Sequence, residues 1–187
     1  MRRACRVGLA VGSVVVLLVV GSSVASAGVD SAKAVPVEEW SASVCKGFSR
    51  WDVRLSKLGS SGALADATAG KTAITKFLTG TVKANARLAR DLKAAGVPAV
   101  KNGKAIAAAF VTSAKRERAA FAQAKTAASA LPTDDQAAFA TAAKQIATQL
   151  QTAGSSLNAT LETTAGRYPS SGLDNAFKST KACKAIA

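Results

Sequence analysis

The chain has 187 residues, with 25 lysines and arginines against 11 acids, no histidine, and a formal charge of +14. That length suits one domain with a real core, and the lack of histidine removes the commonest general base and the commonest metal ligand. No nucleophile stands beside a base, no carboxylates are paired for acid–base work and no glycine-rich loop cradles phosphate. The chain therefore reads as a non-catalytic protein with no cofactor and no metal.

Residues 1–27 read as a signal peptide. Met1-Arg2-Arg3-Ala4-Cys5-Arg6 is a positive start, and Val7 to Val20 is an apolar run of 14 residues broken only by Gly8, Gly12 and Ser13. A membrane-spanning helix needs about 20 apolar residues, so this run is short for one. Ala25-Ser26-Ala27 matches the small-residue cleavage pattern, which predicts a mature chain from Gly28 and a place of action outside the cytoplasm, secreted or at the cell envelope. Retention as an uncleaved anchor is the alternative. Cleavage removes Arg2, Arg3, Arg6 and Cys5 but no acid, so the mature charge is three lower, +11. Residues 28–35 read as a flexible lead-in to a helical domain over 36–187.

Val35-Pro36-Val37-Glu38-Glu39 predicts a helix start, with proline at the first turn and acids at the positive end of the dipole. Trp40, Val44, Phe48, Trp51, Leu55 and Leu58 then recur at spacings of 4, 4, 3, 4 and 3 along one face. Gly59-Ser60-Ser61-Gly62 ends this helix. A second helix starts between Ala63 and Lys71 and runs to Ala95, stopped by Gly96 and Pro98. It carries Ile74, Phe77, Leu78, Val82, Leu88 and Leu92 inward. A third helix, from about Pro98 or Lys101 to Ala130, with Lys101-Asn102-Gly103 able to delay its start by a turn or so, turns Ile106, Phe110 and Phe121 inward and places Lys115-Arg116-Glu117-Arg118 on its wet side. After Leu131-Pro132, Thr133 and Gln136 form a capping-box pattern. They begin a fourth helix with Phe139, Ile146, Leu150, Leu157 and Leu161 inward, closed by Gly166. A short final helix holds Leu173, Phe177 and Cys183. No period-2 strand is evident.

These elements predict an all-α fold: an up-down four-helix bundle with a short C-terminal helix. In an oxidising compartment the two mature cysteines, Cys45 and Cys183, are expected to pair and to staple the last helix onto the first.

Trp40-Ser41-Ala42-Ser43-Val44-Cys45, followed by Phe48, Trp51 and a second cysteine near the C-terminus, resembles a group of small secreted proteins and lipoproteins of actinobacteria. That resemblance implies a helical bundle outside the cytoplasm and brings no catalytic residues. The chain departs from the lipoprotein members in lacking a lipidated cysteine.

Three basic groups are the candidate functional residues. Lys46, Arg50, Arg54 and Lys57 form a stripe on the first helix; Lys83, Arg87, Arg90 and Lys93 form one on the second; Lys115, Arg116 and Arg118 form a short cluster on the third. Such surfaces can hold anionic wall polymer or a membrane surface by salt-sensitive contacts; the alternative is that they are solvated helix faces. Nucleic acid is the weaker partner, because the large aromatics fall on inward faces and leave no stacking platform. The alternative function is a small-ligand carrier with its pocket between helices near Trp40 and Trp51.

Overall fold

Six helices and one pair of two-residue strands make up the described chain. The computed structural model describes residues 34–58, 66–169 and 171–185, apart from the side chains of 153–162, 164, 165 and 171. The predicted signal at 1–27, most of the predicted lead-in at 28–35, and the side chains of Leu157 and Leu161 lie outside the described residues.

Helix α1 spans Val37–Ser56, with Pro36 as its cap residue and Glu38 and Glu39 in the first turn. Helix α2 spans Ala67–Ala94; Asp66 caps it by accepting from the Ala69 amide at 2.8 Å. Gly96 terminates α2 at φ 80°, a left-handed conformation that suits glycine.

Ala34–Val35 (β1) then pairs in parallel with Val97–Pro98 (β2), in the register Ala34 to Val97 and Val35 to Pro98. The lead-in is therefore tied down at its last two residues rather than flexible throughout 28–35. The Ala99 amide also donates to the Val35 carbonyl at 2.8 Å. A two-residue strand is too short to show an alternating pattern, which is why no periodicity announces it.

Helix α3 begins at Gly103, later than Pro98 or Lys101, because Asn102 takes a left-handed φ of 62°. A Cβ on Gly103 would collide with the Pro98 carbonyl oxygen. Gly103→Ala should therefore push α3 off the β2 turn and lower stability by about 1–3 kcal/mol, read as an earlier urea midpoint.

Helix α4 spans Gln136–Arg167. Its cap is Asp135 and not Thr133: the Asp135 carboxylate accepts from Ala137 and Ala138 at 2.8 and 3.1 Å. The chain bends through Thr133 and Asp134 before the helix starts, so the acid nearest the open amides wins. The predicted final helix is two helices, α5 (Ser171–Ser179) and α6 (Lys181–Lys184), with an extended Thr180 between them.

The fold is an all-α bundle. Helices α2 and α3 form its central antiparallel pair; α1 packs on α2, α4 on α3, and α5 with α6 cover another flank of α1. The Cys45–Cys183 disulfide, with Cα atoms 5.0 Å apart, joins α6 to α1.

The core falls into two apolar clusters. One centres on Trp40, Val44, Leu88, Leu92 and Ile106; the other on Leu78, Ala124, Ala128, Phe139 and Ile146. Between them, Thr81 and Asn85 lie between Leu78 and Leu88 on α2, while Glu117 lies between Ala114 and Ala124 on α3, with Ser113 beside it. All four are buried. Glu117 thus leaves the wet face assigned to it from sequence and sits in a polar layer of the core.

Candidate anion-binding surface

The basic stripes of α1 and α2 meet because three contacts set the register between the helices. Gly47 lies against Leu88 and Asp91, and Gly80 against Leu58. The Trp51 indole N–H donates to Asn85 Oδ1 at 2.6 Å. In this antiparallel packing Lys46 stands level with Arg90, Arg50 with Arg87, and Arg54 with Lys83. The side chains at 46, 50, 54 and 57 fall within about 80° of one another around α1, and those at 83, 87 and 90 within about 60° around α2.

One acid joins the two rows. Asp91 Oδ2 lies 3.3 Å from Arg50 Nη2 and 3.7 Å from Arg54 Nη1, which brings the α1 stripe to the flank of α2 that carries Asp91, with Arg87, Lys83 and Arg90 about 40°, 80° and 100° around α2 from it. The Arg50 Nε–H also donates to this oxygen at 3.3 Å. Lys46, Arg50, Lys57, Lys83, Arg87 and Arg90 are exposed, and Arg54 is half-buried. A cleft of about 180 Å³ opens beside Asp91 between Ser43, Lys46, Arg50, Ala94 and Ala95.

The remaining basic residues take other directions. Lys93 is exposed but lies about 120° around α2 from Arg87. Lys115, Arg116 and Arg118 are all exposed on α3, yet successive helix residues turn by about 100°, so Arg116 and Arg118 point to different flanks. A wider groove of about 670 Å³ runs along the first half of α2 past Thr72, Thr75, Lys76 and Lys83. Its Lys71 ammonium is committed to the Leu131 carbonyl at 3.0 Å.

The two tryptophans are engaged within the fold. Trp40 is 1% exposed and donates its indole N–H to the Gly96 carbonyl at 3.1 Å. Phe110 and Phe177 pack edge-on against it, with centroids 5.4 and 6.0 Å away. Trp51 spends its N–H on Asn85 and meets Phe48 edge-on at 6.4 Å. Neither Trp40 nor Trp51 lines either of the two clefts above. Among the described residues no three His, Cys, Asp or Glu side chains gather as a metal site, and no helix is long and apolar enough to cross a membrane.

No family model, curated protein or solved structure matches this chain.

Asp91 is the member of the seam that sequence reading passes over. Its signal is present, since an acid four residues after Arg87 on a basic helix is an outlier in its own stripe. Its partners on α1, however, are set only by helix packing.

Proposed function

We propose that this is a non-catalytic exported protein that binds anionic surfaces or polymers at the cell envelope through the α1–α2 seam. Export rests on the sequence of residues 1–27, and envelope placement on that export. The observation that carries the binding reading is the meeting of Lys46, Arg50, Arg54, Lys57, Lys83, Arg87 and Arg90 on one side of two packed helices, with Asp91 as the acid among them. Like charges spaced three and four residues apart on a helix each cost a few tenths of a kcal/mol. A polyanion laid over them converts that repulsion into attraction and releases its own counterions.

Anionic wall polymer is favoured over insertion into a bilayer. Helices that lie in a membrane interface bury an apolar face; among the described residues the exposed large apolar side chain is Val53, at 47%.

Retention of the disulfide-bonded protein on an anionic polymer matrix at rising salt tests this reading. With five to seven effective contacts, affinity is expected to fall by about 100- to 1,000-fold between roughly 50 and 200 mM salt. Absence of retention at low salt overturns it.

A further inference from the structure

We infer that the α1–α2 seam is a binding track for a linear phosphate-bearing polymer lying lengthwise along the two helices, an inference that rests on the anion-binding reading above. The register makes the seam a ladder: Lys46 with Arg90, Arg50 with Arg87, and Arg54 with Lys83 form three cationic rungs. On α1 the rungs are four residues apart, roughly 6 Å each, so the ladder with Lys57 at its end is about 16 Å long.

That geometry selects a chain of charges. A single phosphate meets one rung, and a flat charged surface meets only the outermost atoms. A linear polyanion engages successive rungs and gains from each. Asp91 sits within the ladder and holds Arg50 and Arg54 by a single carboxylate oxygen. It draws the two guanidinium groups together before any ligand arrives, with Arg50 about half exposed and Arg54 partly buried.

Inorganic polyphosphate of increasing chain length tests the ladder against general charge attraction. Orthophosphate is expected to bind negligibly; affinity should climb with chain length and level off once the ladder is spanned. The triple variant Lys46→Ala, Arg50→Ala, Arg87→Ala should weaken binding of the long chain by about tenfold or more relative to Lys115→Ala, Arg116→Ala, Arg118→Ala, which removes the same charge from α3. Equal weakening by the two triples overturns the ladder and leaves the broader anion-binding reading standing. Failure of the unaltered protein to bind any polyanion at low salt overturns both. Anionic phosphatidylglycerol vesicles form the second arm: loss of vesicle binding in the ladder triple with polyphosphate binding intact makes the seam a membrane contact and overturns the polymer assignment. If either triple fails to give the native helical spectrum, the single reversals Arg87→Glu and Arg118→Glu make the same comparison.

Discussion

Reducing the Cys45–Cys183 bond, or replacing Cys183 by serine, is expected to lower the unfolding free energy by about 5 kcal/mol. The two cysteines are 138 residues apart, and in the chain-entropy account a cross-link over that length removes about this much freedom from the unfolded chain. For a domain whose total stability is on the order of 5–15 kcal/mol, that is a large share. Local structure points the same way. Helix α6 is four residues long and has no side-chain cap, so it lacks the length to hold itself. Cys183 is buried, with its sulfur 3.6 Å from the Ser41 carbonyl, and α5 sends Leu173, Ala176 and Phe177 inward. Urea unfolding of oxidised and reduced protein reads the difference directly; coincident midpoints would show that the staple contributes nothing.

The second large effect lies in the polar layer. Glu117 is buried, its Oε2 has no partner, and burial raises its pKa above the ordinary 4.5. Among the described residues turned to the core from the packed helices none is charged: α2 turns Leu78, Thr81, Asn85 and Leu88 inward, and α4 turns Phe139, Ala142, Ala143 and Ile146. The Thr81 and Ser113 hydroxyls donate to the Phe77 and Ala109 carbonyls; Asn85 accepts from Trp51 through Oδ1, and its buried Nδ2 makes no hydrogen bond. The fold therefore prefers Glu117 protonated. Its contribution to stability is full below the ordinary carboxylate pKa and is lost as pH rises through the raised folded value. Glu117→Met, similar in length and apolar, should raise stability at pH 8 by about 1–3 kcal/mol, with the gain shrinking below pH 4.5. An equal gain at both pH values would show that ionisation plays no part.

Glu117 also marks where sequence reading went astray and why. Ile106, Phe110, Ala114, Glu117, Phe121, Ala124 and Ala128 follow one another at spacings of 4, 4, 3, 4, 3 and 4, so helical periodicity alone places Glu117 on the buried stripe. Its neighbours Lys115, Arg116 and Arg118 invite grouping by charge, and the grouping hides the phase. Helix ends were legible where a local rule decides them, as at Gly96 and at the Leu131-Pro132 break. They were less so where two caps compete, as at Thr133 and Asp135. The cysteine pair was legible from the count of cysteines and from the export expected of residues 1–27.

The seam was only half legible. Each stripe follows from spacing on its own helix, but their meeting depends on packing across the helices: on Gly80, whose missing side chain leaves room for Leu58, and on the Trp51–Asn85 bond. Nothing local to either helix encodes that register. The β1–β2 pair is hidden for a similar reason, since its two-residue strands are held by a partner more than 60 residues away.

Mapping backbone amide and arginine Nε–H resonances during a titration with long-chain polyphosphate tests the central claim most directly. The seam account predicts that shifts concentrate on residues 43–57 and 83–94, with Arg50, Arg54 and Arg87 among the largest, while Lys115, Arg116 and Arg118 move little. Shifts spread evenly over all exposed lysines and arginines, or centred on α3, would contradict it.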